Sequence, residues 1–170
     1  MNSALIGNLV RGRHDESPSL QRASSPRVRS LATRSRSRRR STMNRLYATP
    51  DDFEATIRIL STAEGGRATP AFNGIRWDLA YAEDDLSEGI WMIWPDFVDE
   101  SHDSLPTDRP LPVGIDLPAR MTVVSDAVRA QVHRQKIKIG TRFYCHEGAK
   151  RVAAGHVTRI TGLFDERPKT

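Results

Sequence analysis

Alternating apolar and polar residues mark two segments of the chain as strands. Every second residue from Phe53 to Ile59 is apolar, and the residues between them are polar. After Gly74, a second alternation places Trp77, Leu79 and Tyr81 on one side. A period of two is typical of a β-strand that buries one face, so we predict a strand in each segment.

Shorter apolar segments predict the remaining strands. The run IWMIW, residues 90–94, predicts a strand that is covered on both faces and ends at Pro95. Its two tryptophans, Trp91 and Trp94, cannot both face one core, so we expect one of them on an exposed surface. Further strands are predicted over 120–125, 135–139, 142–146 and 151–161.

Turn residues separate these strands and leave little room for helices. Turns are predicted at Gly65-Gly66, at Gly140 and at Glu147-Gly148. Residues 98–112 contain three prolines and predict a loop, and 127–136 could form one or two helical turns. In the strand predicted over 135–139, the lysines face outwards and the isoleucines inwards. About six strands favour an all-β domain closed as a barrel or a sandwich, because closure removes exposed edges.

Composition divides the chain after residue 42. Residues 1–42 contain ten Arg and nine Ser but only two acidic residues, a net charge of +8, and no aromatic residue. Residues 43–170 contain all eleven aromatic residues and carry the remaining −3 of the chain's net +5. We therefore expect a disordered basic tail over 1–42 and one folded domain over 43–170, because dense like charge opposes ordering.

Three functions of the tail remain open from its composition. It is consistent with an arginine-rich RNA-binding arm, with an organellar transit segment, or with a translation start placed too far upstream. Met43 immediately precedes the first globular pattern, which favours the last of these.

Several classes of protein are excluded or disfavoured by what the sequence lacks. Cys145 is the only cysteine, which excludes an internal disulfide and predicts a reducing compartment such as the cytoplasm. No apolar run approaches the roughly 20 residues that a membrane-spanning helix needs, so no membrane partner is expected. The chain contains no phosphate-binding Gly-x-x-x-x-Gly-Lys-Ser/Thr segment and no hydrolase motif, so we expect neither an enzyme nor a cofactor.

Two clusters of candidate chemistry are interpreted as structural. One candidate metal site consists of Cys145, His146, His133 and His156. However, Cys145 and His146 are adjacent, and adjacent residues of a strand face opposite sides, so they cannot easily bind one ion. We expect a buried thiol and surface histidines. Nine acidic residues crowd the segment 83–108, which we expect to be a solvated loop face: Glu83, Asp84, Asp85, Glu88, Asp96, Asp99, Glu100, Asp103 and Asp108.

A basic segment offers a candidate surface for phosphates. Residues 129–142 include five basic side chains and no acidic one: Arg129, Arg134, Lys136, Lys138 and Arg142. On the predicted strand, Lys136 and Lys138 share a face and would form a positive stripe, although a solvated strand face is the default interpretation.

Two motifs resemble a known family. The segment FEATIRILSTAEGGRATPAFNGIR, residues 53–76, resembles the opening of the C-terminal barrel domain of translation elongation factor Tu, which shows a strand followed by Glu-Gly-Gly-Arg-x-Thr-Pro. The dipeptide RF at 142–143 and the segment HEGAKRVAAGHVTRI, residues 146–160, resemble the closing hairpin of the same domain. The similarity spans about residues 52–163.

The resemblance implies a fold and a binding function. It implies a six-stranded closed antiparallel barrel whose motif regions lie near the T-stem of aminoacyl-tRNA. Carried over by position, it implies these contacts with RNA or another partner: Gly65, Gly66, Arg67, Thr69, Arg76, Lys150 and Arg151. The GTP-binding domain of the family has no counterpart here, so we expect a non-catalytic, translation-related module.

The partner of this module is expected to be a protein or a structured RNA, either tRNA or rRNA. The net charge of −3 on residues 43–170 opposes nonspecific RNA binding, because each phosphate contact needs a local cation. We therefore favour a protein partner slightly over RNA. A regulatory interaction module outside translation is the alternative.

Overall fold

Six antiparallel strands form a closed barrel. In the computed structural model, which describes residues 43–167, the strand order around the barrel is β1-β4-β3-β2-β5-β6, and β6 pairs with β1. The strands are β1 (Phe53–Ile59), β2 (Trp77–Tyr81), β3 (Trp91–Phe97), β4 (Asp116–Val123), β5 (Arg142–Glu147) and β6 (Lys150–Ile160). The all-β closed barrel expected from the sequence is confirmed, whereas the tail predicted over 1–42 lies outside the described residues.

The inward residues of the strands fill the barrel. Burial alternates along β1, where Phe53, Ala55, Ile57 and Ile59 are buried, as the sequence pattern predicted. Phe53 meets Phe143 edge to face in the core, with 6.3 Å between the ring centroids. Apolar burial of this kind is the main favourable contribution to folding.

Short helical segments lie at both ends of the barrel. The 3₁₀ turn Thr62–Glu64 follows β1 at one end. The 3₁₀ turn Leu86–Glu88 and a longer helical segment from 126 to 136 lie at the opposite end, which we call the helical end. This segment consists of α1 (Asp126–Val128), a π-helical stretch (Arg129–His133) and α2 (Arg134–Lys136). The helical turns that the sequence suggested over 127–136 are confirmed. Among residues 43–167, no helix is long and apolar enough to cross a membrane.

Two strand predictions are wrong. The strand predicted over 135–139 is replaced by the end of α2 and a turn at Gly140, whose φ is 87°. Ile137 is buried as predicted, but Ile139 is 70% exposed, so the predicted face does not exist. Strand β3 also continues through Pro95, and its Met92 is 51% exposed rather than covered.

The short pairing between β2 and β3 explains why β3 tolerates a proline. Strand β2 pairs with β3 only as far as Ile93, so the Pro95 nitrogen faces no strand on that side. Further along, the Asn73 side chain takes the place of a strand: its Oδ1 accepts from Phe97 N at 2.9 Å, and its Nδ2 donates to Phe97 O at 3.1 Å. A side-chain amide thus satisfies backbone groups that a neighbouring strand would otherwise bond.

A row of alternating charge crosses four strands on the outer face of the barrel. The paired positions in the row are Asp96 on β3, Arg120 on β4, Glu54 on β1 and Arg159 on β6. Arg120 and Asp96 form a buried ion pair at 2.7 Å, and Arg159 and Glu54 form an exposed one. Residue 44 covers the buried pair, because Arg120 donates to the carbonyl oxygen of Asn44 at 3.1 Å.

Candidate functional site

The antiparallel topology gathers the sequence-predicted site at one end of the barrel. Strands β1, β3 and β5 finish at this end, and β2, β4 and β6 begin there. We call it the hairpin end, because it carries the β5–β6 turn at Gly148 and Ala149. The residues predicted as contacts all lie on it or directly beside it: Gly65, Gly66, Arg67, Thr69, Arg76, Lys150 and Arg151.

Arg67 joins the two sequence motifs in space. Its guanidinium forms an ion pair with the Glu147 carboxylate, and it also donates to Thr69 O at 3.2 Å and to Thr69 Oγ1 at 3.0 Å. The same Glu147 carboxylate accepts from Trp77 Nε1 at 3.0 Å. The opening loop, the closing hairpin and the start of β2 are therefore held as one unit.

The two glycines shape the loop that carries Arg67. Gly65 ends the 3₁₀ turn in the left-handed region, with a φ of 85°. A Cβ on Gly66 would lie 2.1 Å from the carbonyl oxygen of Leu60, a contact that no side chain can make. The Gly66 nitrogen donates to Ser61 O at 2.8 Å. Both glycines therefore have an architectural role in addition to the contact role predicted for them.

Glu64 stabilises the turn before these glycines. Its carboxylate accepts from Ser61 N at 3.0 Å and from Arg58 Nη2 at 2.7 Å. The hydrogen bonds from Ser61 lower the pKa of Glu64 to about 2, with the Arg58 guanidinium adding to the effect. This carboxylate stays ionised and paired, so it does not add an unpaired negative charge to the hairpin end.

Few of the basic side chains are available to a partner. Fifteen Lys and Arg lie within the described residues, and nine of them lie within 4 Å of a carboxylate. Arg134 donates instead to the carbonyl oxygens of Leu163 and Asp165. Across 43–167, the cations with no such partner are Arg76, Arg109, Lys138, Lys150 and Arg151. Three of these five are predicted contacts at the hairpin end.

Two of the available arginines lie over aromatic rings. The Arg76 guanidinium lies over the Trp94 ring at 4.6 Å, and Trp94 in turn packs against Tyr47. The Arg151 guanidinium lies over the Tyr144 ring at 3.4 Å. Both arginines are exposed. Stacking of this kind fixes the cation in place without neutralising its charge.

An apolar groove of about 340 Å³ lies beside Arg67. Its walls are the end of β1, the loop from Arg67 to Ala71 and the segment from Pro110 to Val113. Leu111 N donates to Ala71 O at 2.8 Å, and Gly114 N donates to Ile59 O at 2.9 Å, so the walls are tied together. The groove is not predicted by any sequence pattern, and the three prolines within 98–112 are the only signal that points to its wall at Pro110 to Val113.

The predicted basic stripe is wrong. Because 135–139 is not a strand, Lys136 and Lys138 do not share a strand face. Lys136 forms an ion pair with Asp84 and lies 3.7 Å from Glu88. Arg129 is buried against Asp52 at 2.5 Å. The cations of this segment are thus largely used within the domain.

The acidic segment is mostly the solvated face that the sequence predicted. Six of its nine acidic residues are exposed: Glu83, Asp85, Glu88, Asp99, Glu100 and Asp108. The expectation is wrong for Asp96, which is 3% exposed and paired with Arg120. Asp84 and Asp103 are partly buried.

The buried thiol is confirmed, but two of the expected surface histidines are not at the surface. Cys145 is fully buried, and burial raises the pKa of its thiol. His133 and His146 are also buried, and only His156 is exposed. Within 43–167, no three His, Cys, Asp or Glu side chains are grouped so that they could hold a metal ion.

His133 forms a buried polar pair at the helical end. Its Nδ1 lies 2.6 Å from the Tyr81 hydroxyl, and the Trp91 ring meets it edge to face at 5.7 Å. Burial lowers the pKa of His133 to about 4 and raises the pKa of Tyr81, so both groups stay neutral near pH 7.

The exposed tryptophan expected from the sequence is not found. Trp91 and Trp94 are both partly buried against other residues of this chain.

The closed barrel is compatible with the barrel domain that the resemblance implied. No protein-family model matches the chain. On its fold and geometry, the protein is a small closed β-barrel with a preformed groove and unpaired cations at its hairpin end.

Proposed function

We propose that this protein is a non-catalytic binding module that docks another protein through the hairpin end of its barrel. The observation that carries the proposal is the convergence at that end. Arg67 ties both sequence motifs together, the apolar groove lies beside it, and Arg76, Lys150 and Arg151 remain without an acidic partner there.

A protein partner fits this combination better than a nucleic acid. Protein interfaces combine an apolar centre with a polar rim, and arginine is enriched in them. The groove supplies the apolar centre, and the three cations supply part of the rim. In contrast, the described residues carry more acidic than basic side chains, which weakens nonspecific attraction to RNA.

The process that the module serves is proposed from the resemblance to elongation factor Tu. The partner belongs to translation in the cytoplasm, and the module acts there without hydrolysing GTP. A regulatory role outside translation is the alternative, and the identity of the captured partner distinguishes the two.

The proposal is tested by capture of the partner from a nuclease-treated lysate. We expect the full chain to retain one protein in stoichiometric amount. The double variant Lys150→Glu and Arg151→Glu is expected to lose at least nine-tenths of it. The control Lys138→Glu, an available cation at the opposite end, is expected to retain it.

Equal capture by the double variant and the control would contradict docking at the hairpin end.

A second candidate function is binding of tRNA or rRNA, which the arginines over the Trp94 and Tyr144 rings favour. Retention of RNA alone, lost on nuclease treatment and weakened by the same double variant, would replace the protein partner with this one.

A further inference from the structure

The apolar groove at the hairpin end is built before any partner arrives. The wall from Arg67 to Ala71 is joined to the wall from Pro110 to Val113 through Ala71 and Leu111, and Thr62 Oγ1 donates to Arg67 O at 2.9 Å across the rim. The volume of about 340 Å³ lies at the small end of the range for ligand pockets. A groove of this size fits one or two apolar side chains rather than a whole folded surface.

Apolar surface continues outwards from this groove. Val113 lines it and is 46% exposed, and Ile115 close by is 53% exposed. Exposed apolar side chains that cluster around a preformed groove are typical of an interaction surface. The apolar part of the occupant therefore extends beyond the groove itself.

The unpaired charge beside the groove is positive on the side of the β5–β6 hairpin. The two glutamates beside the groove are each held by an arginine, Glu64 by Arg58 and Glu147 by Arg67. Lys150 is the strand partner of Glu147, so its backbone lies about 5 Å from that residue. Arg151 follows it with its charge exposed on Tyr144. An occupant of the groove thus places its flanking residues next to unneutralised cations.

We infer that the groove binds a segment of the partner protein that presents an apolar side chain flanked by acidic residues. The inference rests on the proposed docking function and specifies the chemistry of its partner. The apolar side chain fills the space between Pro70 and Val113, and the carboxylates meet Lys150 and Arg151. Charge-assisted contacts of this kind fix the register of the segment as well as adding affinity.

The alternatives fit the same surface less well. A basic segment would place like charges against Lys150 and Arg151. An RNA strand would satisfy the cations but has no aliphatic side chain for the groove. A purely apolar segment would leave the cations without a partner.

The inference is tested by fluorescence anisotropy with the full chain and a labelled decapeptide of alternating Asp and Leu. We expect saturable binding at micromolar concentrations. Peptides with Lys in place of Asp, or Ser in place of Leu, are expected to bind at least tenfold more weakly. The Lys peptide tests the charge and the Ser peptide tests the groove.

Four variants locate the binding. Val113→Asp in the groove and Lys150→Glu on the rim are each expected to weaken binding of the Asp-Leu peptide at least tenfold. Their matched controls at the other end, Ile139→Asp and Lys138→Glu, are expected to change it less than twofold. Attraction of the acidic peptide to the ten arginines of residues 1–42 would not depend on Val113, so Val113→Asp reports on the groove alone.

The outcomes separate this inference from the proposed function. Peptide affinity unchanged by Val113→Asp, or equal affinity for the Ser peptide, would overturn the groove as the binding site. If the captured partner is then still lost with the double variant at Lys150 and Arg151, docking at the hairpin end stands without the groove. If neither the peptide nor the partner responds to these variants, both fail.

Discussion

At the scale of single residues, the candidate site residues also make structural contacts that their local sequence does not predict. Arg67 was predicted as a cation for a partner, yet its guanidinium contacts Glu147, 80 positions away along the chain. Long-range pairs of this kind depend on strand register, which no motif records. Lys150 and Arg151, by contrast, are exposed as a solvent-facing hairpin predicts.

The two adjacent glycines of the loop differ in what each requires. A Cβ on Gly66 would lie within 3 Å of three backbone atoms of Leu60 and Ser61, whereas a Cβ on Gly65 would meet nothing within 4 Å. We predict that Gly66→Ala lowers the free energy of unfolding by about 3 kcal/mol, because backbone cannot move aside cheaply.

Gly65→Ala is the control for this prediction. Its positive φ of 85° costs an L-residue only about 1 kcal/mol. Urea unfolding of the two variants measures both values, and equal losses would show that the loop relaxes around a methyl group at residue 66.

At the scale of elements, sequence pattern predicts those strands whose faces differ and fails where tertiary contacts decide. Strand β1 has one buried and one solvated face, so its alternation is unambiguous. The segment 135–139 also alternates, but Ile137 is buried at the end of a helix and Ile139 points into solvent. The strand through Pro95 could not be predicted, because the Asn73 amide that completes its bonding lies 24 residues from Phe97.

A buried carboxylate connects four parts of the chain at the helical end. Asp52 accepts from Val123 N at 2.7 Å, from Arg129 at 2.5 Å and from Arg167 at 2.5 Å. It therefore joins the start of β1, the end of β4, the helical segment and the C-terminal residues. Its role is not predictable from the sequence, since an aspartate before a strand has no distinctive pattern.

We predict that Asp52→Asn lowers the free energy of unfolding by about 3 kcal/mol, because it leaves the buried Arg129 guanidinium without a counter-charge and removes one of the two carboxylates that pair with Arg167. Glu54→Gln is the matched control two residues away. Its partner Arg159 is largely exposed, so we expect a loss below about 1 kcal/mol. Thermal or urea unfolding measures the stability of both variants. A loss below about 1 kcal/mol in the free energy of unfolding for Asp52→Asn would show that the Asp52 carboxylate does not hold these parts of the chain together.

At the scale of the whole molecule, the buried His133 makes stability depend on pH. Its pKa is about 4 in the folded barrel and about 6.5 in the unfolded chain, so only the unfolded state gains a proton between these values. Stability from this group is complete above pH 6.5 and is lost as the pH falls towards 4.

We predict that the free energy of unfolding is about 2 kcal/mol lower at pH 5 than at pH 7 because of this histidine alone. The measurement is the difference in urea unfolding between the two pH values, compared with His133→Gln, which cannot titrate. Carboxylates contribute equally to both proteins. An unchanged pH dependence in the variant would show that another group, such as the buried His146, is responsible.

The charged row across β3, β4, β1 and β6 also constrains the geometry of the closed barrel. A strand that slides by two positions keeps the same side chains facing the interior, so the core alone does not select the stagger. Sliding β4 towards the end of β1 would set Arg120 opposite Thr56 rather than Glu54 and break the row. Sliding it the other way would set Arg120 opposite Asp52, which already pairs with Arg129 and Arg167. Because the stagger and the number of strands together set the tilt and the diameter of a barrel, four charged residues help to determine its width.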